Sequence, residues 1–270
     1  MKARAEFARM LAIGGSDPSG GAGIQADLKT ATLLGVYGEA AIAALTAQNS
    51  LGVQAVFPVS AACLRAQLEA VFGDVPPHAA KLGMMGTAEQ FEVVMEFAQR
   101  FPQVCWVCDP VLRSSSDFSL MDSGGKKSYL KNLPLLTLLT PNAQEASVLS
   151  GVEVRNREEA QTAGRALLDL GAHAVLLKGG HIPGDEVTDF LFTRASHDAL
   201  SFASPRINTH NDHGTGCVLA SAIASYLAQG CTLLDAIEGA RKFLQQALQG
   251  ATSLWNGHGH GGMHLHLDAH

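Results

Sequence analysis

The chain is poor in charge and in aromatic residues. Only 16% of its 270 residues are charged and 6% aromatic, against 47% hydrophobic. That balance supports a sizeable buried core and argues against long disorder. No lysine–arginine run stands out and the formal net charge is −6, which makes nucleic acid a poor candidate partner. A small anionic ligand stays compatible, because backbone amides bind phosphate without net positive charge. No stretch approaches the roughly 20 apolar residues that span a bilayer. The start, MKARAEFARMLAIGGSD, is basic and then apolar, but MLAI is too short for the core of a signal peptide. Cysteine is sparse: Cys63, Cys105, Cys108, Cys217 and Cys231. An odd count at wide spacing does not suggest a disulfide framework, and a reducing cytoplasm is the expected location. Cys105 and Cys108 form a Cys-x-x-Cys inside the strand-like VCWVC. Positions three apart on a strand face opposite ways, and no second pair supports zinc.

Strand-like and helix-like segments alternate almost throughout. Arg9–Ile13, Glu39–Leu45, Ala79–Leu82, Val104–Val107, Leu135–Leu139 and Ala174–Leu177 read as strands. Val187–Phe192 and Leu200–Phe202 read as a hairpin-type pair. Helical spacing covers Ile24–Leu34, Ser60–Phe72, Thr87–Arg100, Asn142–Leu149, Arg157–Leu170, Gly214–Leu227 and Leu233–Leu248, with Ser60 and Thr87 as caps. The order predicts one α/β domain over residues 1–270, with a mainly parallel sheet covered on both faces. Residues 1–8 are expected to be flexible. In such sheets ligands bind beyond the carboxyl ends of the strands. Gly14-Gly15, Asp109-Pro110, Pro141-Asn142 and Lys178-Gly179 all fall there.

Four constellations carry chemistry. Gly14-Gly15-Ser16-Asp17-Pro18-Ser19-Gly20-Gly21-Ala22-Gly23 lets backbone approach a ligand; it is neither a Walker loop nor a dinucleotide fingerprint. Asn211-Asp212-His213-Gly214-Thr215-Gly216-Cys217 opens an alanine-rich helix whose unpaired amides would hold a transferring phosphoryl group. Cys217 falls in its first turn, where the macrodipole favours a thiolate that could serve as base or polar contact. Asp109-Pro110-Val111, Thr140-Pro141-Asn142-Ala143-Gln144-Glu145 and Lys178-Gly179-Gly180-His181 each follow an apolar strand. Asp109 and Glu145 could hold magnesium through water, and Lys178 could meet nucleotide phosphates as a point charge. Taken together, these groups describe phosphoryl transfer by positioning and electrostatics. Finally, the amide in Leu45-Thr46-Ala47-Gln48-Asn49-Ser50 can both donate and accept, as reading an aminopyrimidine edge requires. Plain turn chemistry is the competing account of Gln48-Asn49.

The motifs GGSDPSGGAGIQADLKT, ALTAQNS, KLGMMG, DPV, TPNAQEA, LKGGH and HGTGC, in that order, resemble the hydroxymethylpyrimidine/phosphomethylpyrimidine kinases of thiamine biosynthesis. The resemblance runs from about Met10 to His264 and includes the glycine–histidine stretch WNGHGHGGMHLH. It implies a ribokinase-like three-layer α/β/α fold and a cytoplasmic enzyme, commonly a homodimer, using ATP and Mg2+. Two successive phosphorylations are implied, first of the substrate's hydroxymethyl group and then of the monophosphate. By the same resemblance Gln48, Asp27, Gly15, Met84 and Val111 would line the pyrimidine pocket. Gly214, Thr215 and Gly216 would form the anion hole and Cys217 the base. Lys178, Asn142, Gly214 and Gly216 would meet the nucleotide, and Asp109 and Glu145 the metal.

Two stretches depart from the family pattern. Asp212 stands where the family has threonine; a carboxylate there would repel phosphates unless it points away or meets a cation. Leu112-Arg113-Ser114-Ser115-Ser116-Asp117 replaces a lysine-containing stretch; Arg113 could supply that charge, and Arg113–Gly125 is a lid candidate. The tail, 257–270, carries His258, His260, His264, His266 and His270. It reads as a flexible solvated segment, with metal binding as the alternative. The competing functions are a pyridoxal kinase of the same superfamily and a non-catalytic pyrimidine-binding module.

Overall fold

The computed structural model describes residues 7–112, 124–180, 184–196, 198–255 and 257–265. Among them, strands β1 (Arg9–Ser16), β2 (Tyr37–Asn49), β3 (Gly52–Pro58), β4 (Ala79–Leu82), β5 (Cys105–Cys108), β6 (Leu138–Leu139), β7 (Ala174–Leu177), β8 (Glu186–Thr193) and β9 (Leu200–Pro205) form one sheet in the order β3-β2-β1-β4-β5-β6-β7-β8-β9. The run from β2 to β7 is parallel, and antiparallel strands close both edges. The helices are α1 (Gly23–Leu33), α2 (Ala61–Asp74), α3 (Ala88–Arg100), α4 (Gly125–Asn132), α5 (Ala143–Ser150), α6 (Arg157–Asp169), α7 (Thr215–Ala228) and α8 (Leu233–Gly250).

The two faces of the sheet follow from the period of two along a strand. Leu11 and Ile13 of β1 join Leu82 of β4 and Leu177 of β7 in a core under α2, α3, α5 and α6. Met10 and Ala12 of β1 join Val107 of β5 and Leu176 of β7 in a second core under α1, α7 and α8. Both faces being covered, the central strands read as continuous apolar runs. Helix starts are set locally. Thr87 accepts from the Gln90 N–H in a reciprocal capping box, and Asn142 does the same with Glu145. Ser60 accepts from the Cys63 N–H. Four alanines on the buried part of α7 (Ala220, Ala222, Ala224 and Ala228) let that helix lie close to the sheet.

The structure corrects several expectations. The strand expected over Glu39–Leu45 runs on to Asn49 and turns back as β3, a hairpin that composition had marked only as a turn at Gln48-Asn49. The polar residues there pair along the sheet edge, where one face stays wet and alternation is weak. The strand expected over Leu135–Leu139 shrinks to Leu138–Leu139 behind a single 3-10 turn, Leu133–Leu135, whose second residue is Pro134. Helix α4 was not anticipated. The segment 257–265 is packed, not loose: Met263 and Leu265 are 5% and 7% exposed and join Ala26, Val218 and Ala247 in a third cluster. Its backbone is threaded with bonds, from Gly261 N–H to His210 O at 3.1 Å and from His264 N–H to Ala247 O at 3.2 Å. Gly259 fits because a Cβ there would come 2.2 Å from the Ser50 carbonyl oxygen. Arg113 with most of the lid candidate, His181, His266 and His270 lie outside the described residues, as do residues 1–6.

Candidate active site

The carboxyl ends of β1, β4, β5, β6 and β7 carry the groups singled out above. Gly15 sits near the end of β1, and a Cβ on it would approach Met84 Sδ, just past β4, at 3.1 Å. Glycine is what lets the Met84 thioether lie against that backbone. Gln48 is tied to the same strand end, because Thr46 Oγ1 donates to Ser16 O at 3.0 Å and stands 3.2 Å from Gln48 Oε1. Val111 is partly exposed beyond β5, its N–H donating to Asp109 O at 2.8 Å.

Helix α7 begins at Gly214, whose φ of +85° is left-handed. A side chain there would be strained and would strike Gly21 O at 2.1 Å. This closeness locks the glycine-rich loop of β1 against the start of α7. The Thr215 N–H donates to Asp212 O at 3.3 Å, while the Gly216 and Cys217 N–H groups open the helix without an intrahelical partner. A Cβ on Gly216 would lie 3.2 Å from both Asp109 Oδ2 and Lys178 Nζ. The helix start thus meets an acid and a base from strands β5 and β7 at one point. Lys178 Nζ donates to Asp109 Oδ1 at 2.6 Å and lies 4.0 Å from Glu145 Oε2.

Burial pushes the Glu145 carboxyl up to about 7, with Asp109 adding to the rise and Lys178 and the Asn142 N–H opposing it. Asn142 serves chiefly as the cap of α5: its Oδ1 accepts from Glu145 N–H at 2.9 Å, and its own N–H donates to Glu145 Oε2 at 2.8 Å. The Lys178 ammonium stays charged, since Asp109 and Glu145 outweigh the burial that would lower its pKa. The turn after Lys178 is held by Asp189 of β8, which accepts from Gly179 N–H at 2.7 Å and pairs with Arg241 of α8.

Two expectations change here. Asp27 does not open onto a pocket: it is fully buried, and its carboxylate accepts from Lys81 Nζ at 2.8 and 2.9 Å and from Ser221 Oγ at 2.5 Å. It clamps α1, β4 and α7 together beneath the site. Cys217 is not a low-pKa thiol. Burial pushes it above its ordinary value and the Asp27 and Asp109 charges add to that, although Lys81 and the Gly23 N–H oppose them. Desolvation runs against the thiolate that the helix start would favour. The resting side chain is a thiol able to make a polar contact.

Sequence reading missed Lys81, Ser221 and Asp189, since each looked like an ordinary strand or helix residue. Asp17 and His213 were inside quoted motifs without a role. Asp17 Oδ1 accepts from Ser19 N–H and Oγ at 2.8 and 2.7 Å, and Oδ2 from Ala22 N–H at 2.9 Å. Burial would raise its pKa, but these bonds and the one to His213 bring it down to about 2. The folded value lies below the unfolded one, so the stability this group contributes is present above about pH 4 and lost as pH falls towards 2. A Tm-versus-pH series should therefore be shallower over that window in Asp17→Ala than in the wild type. Asp212 turns to His260, its Oδ1 standing 2.7 Å from Nδ1. Asn211 Nδ2 donates to Ala251 O and Leu254 O at 2.8 and 2.7 Å, which ties the loop before α7 to the end of α8.

A covered parallel sheet with a glycine-opened helix and a lysine–carboxylate group at its carboxyl rim is the architecture of the ribokinase-like kinases. The phosphomethylpyrimidine kinase profile matches residues 17–264, and the chain belongs to that family. The hydroxymethylpyrimidine/phosphomethylpyrimidine kinase of Rhizobium meliloti is 42% identical over 256 residues, covering 94% of this chain and 95% of its own. The thiamine biosynthesis bifunctional protein ThiED of Geobacter sulfurreducens is 44% identical over 259 residues, 95% of this chain but 52% of its own length, so the chain spans about half of that protein. Among solved structures, phosphomethylpyrimidine kinase from Clostridium difficile is similar at TM-score 0.77 and 36% identity, with 89% of this chain and 99% of that one covered. Pyridoxal kinase from Staphylococcus aureus in complex with ADP is similar at TM-score 0.86 and 29% identity, with 97% and 94% covered. Among the described residues no helix is long and apolar enough to cross a membrane.

Proposed function

We propose that the protein transfers the γ-phosphoryl group of ATP to the hydroxymethyl oxygen of 4-amino-5-hydroxymethyl-2-methylpyrimidine, and then a second phosphoryl group to the monophosphate. The observation that carries this reading is the meeting of the α7 start with Lys178 and Asp109 at Gly216. Unpaired amides and an ammonium aimed at one point stabilise the charge of a transferring phosphoryl group, which needs positioning more than covalent help. In the first step the hydroxymethyl oxygen attacks the γ-phosphorus, the bond to the β-phosphate oxygen breaks, and ADP leaves. In the second, a phosphate oxygen of the monophosphate is the nucleophile. In this reading Gln48 reads the pyrimidine edge, and Gly15, Met84 and Val111 line the substrate pocket.

Magnesium fits as a water-held ion. Among the described residues no cluster of three potential ligands would hold a metal alone. Asp109 and Glu145, both within 4.0 Å of Lys178 Nζ, suit an ion bound mainly by water and phosphate oxygens. When bound, it would supply neutralisation of phosphate charge. Asp212 is not an obstacle to nucleotide, because its carboxylate faces His260. A cytoplasmic location and a homodimer complete the proposal. Leu45, Leu51 and Phe57, 50%, 69% and 59% exposed around the β2–β3 hairpin, give a second copy an apolar surface.

An ATP-coupled assay with the hydroxymethylpyrimidine, resolving mono- and diphosphate, tests the reading. Both products should form; pyrimidine binding without ADP release would favour the non-catalytic module instead. The solved pyridoxal kinases keep pyridoxal as the second substrate to compare, since it too carries a hydroxymethyl arm on a flat heteroaromatic ring. Higher kcat/KM for pyridoxal would replace the pyrimidine reading. Cys217→Ala should slow the first phosphorylation by about tenfold or more and the second much less, because a phosphate nucleophile is already ionised. Equal losses in both steps would remove Cys217 from the handling of the hydroxyl.

A further inference from the structure

Gln48 can present its carboxamide in two ways round, and the choice decides what it reads. Its amide nitrogen lies 2.9 Å from His213 Nε2, and its oxygen 3.2 Å from Thr46 Oγ1. Taken that way, the amide donates to a ring nitrogen that must carry a lone pair. The same ring nitrogen, however, stands 3.0 Å from Asp17 Oδ2. An ionised carboxylate only accepts, so it demands an N–H at that nitrogen. One nitrogen cannot supply a lone pair to Gln48 and a proton to Asp17.

Asp17 wins the competition. It is held by Ser19 and Ala22 and is 2% exposed, so facing a lone pair would leave a buried charge unsatisfied. The His213 backbone N–H donates to Gly261 O at 3.1 Å, and the ring packs against Gly21, where a Cβ would come 2.7 Å from His213 Cδ2. Thr46 completes the logic. Its one hydroxyl proton goes to Ser16 O at 3.0 Å, which leaves its oxygen to accept. The consistent arrangement has the Gln48 oxygen towards His213, sharing the Nε2 proton with Asp17 in a three-centre bond, and the NH2 towards Thr46, with one lone pair and one N–H left for a ligand.

We propose that Asp17, acting through His213, and Thr46, by direct contact, fix the direction of the Gln48 carboxamide and so set the donor–acceptor order that this protein accepts on a pyrimidine edge. These are positioning residues, and the inference rests on the function proposed above. An aminopyrimidine offers a donor at its 4-amino group and an acceptor at N3. Its 4-oxo counterpart offers an acceptor at O4 and a donor at N3. With the hydroxymethyl arm held at the transfer point, the ring cannot turn over to compensate, so a reversed amide favours the 4-oxo compound.

The test is the ratio of kcat/KM for the 4-amino substrate to that for its 4-oxo analogue, measured for the wild type, Thr46→Val and Asp17→Asn. The wild-type ratio should be about a hundredfold or more, since a mismatched edge leaves buried polar groups unpaired. Thr46→Val leaves the NH2 without its acceptor. Asp17→Asn removes the ionised acceptor that demands an N–H at His213 Nε2, so that nitrogen can present its lone pair to the Gln48 NH2 instead. In both the ratio should fall by at least about tenfold, chiefly through KM for the 4-amino substrate. A loss of folded protein lowers both substrates equally and cancels. A ratio unchanged within about twofold in either variant overturns the inference while leaving the kinase reading intact. A wild type that phosphorylates neither compound overturns both.

Discussion

Lys178→Met is expected to lower kcat by about a hundred- to a thousandfold while KM for the pyrimidine stays within about threefold. The ammonium stands where the start of α7 and the two carboxylates meet: 2.6 Å from Asp109 Oδ1, 4.0 Å from Glu145 Oε2, and 3.2 Å from the Cβ position of Gly216. Removing it takes away a charge aimed at the phosphoryl group and leaves two acids facing nucleotide phosphates. Both effects act on the transferring group and neither on the pyrimidine edge, hence the split between kcat and KM. Steady-state kinetics with the pyrimidine varied at saturating ATP separates them. A loss confined to KM of the pyrimidine, or a kcat within fivefold of wild type, would remove Lys178 from phosphoryl transfer. Lys178→Arg tests geometry against charge: a guanidinium is wider than an ammonium, so only part of the rate should return.

Asp27→Ala should destabilise the fold by about 3–5 kcal/mol, because it leaves the Lys81 ammonium buried without a partner. Lys81 is 1% exposed and Asp27 not at all. Burial raises the Asp27 pKa, and the attraction of Asp27 raises that of Lys81 despite burial. Thermal unfolding should fall by roughly 10 °C for a domain of this size. The double variant Asp27→Leu/Lys81→Met should recover much of that loss, since apolar residues of similar volume often replace a buried pair without penalty. If the single variant lost less than 1 kcal/mol, the pair could not be a buried ionic clamp. Because Lys81 also draws the Cys217 thiol down, Lys81→Met should shift the pH dependence of Cys217 alkylation to higher pH.

The sequence alone determined most of the alternation of strands and helices, though not the β2–β3 hairpin, the short β6 or α4. Local rules set that alternation: continuous apolar runs under β1, β4, β5 and β7, and caps at Ser60 and Thr87. It also marked the glycines that only a close approach explains, Gly214 and Gly216 among them. Tertiary structure decided what those residues meet. Asp27 pairs with Lys81 across 54 positions and Gln48 with His213 across 165, and the sheet order that sets β1 between β2 and β4 brings them together. The thiol of Cys217 and the docked segment 257–265 make the same point. Dipole and composition are properties of a short stretch, whereas desolvation and packing depend on every segment that comes to lie around it.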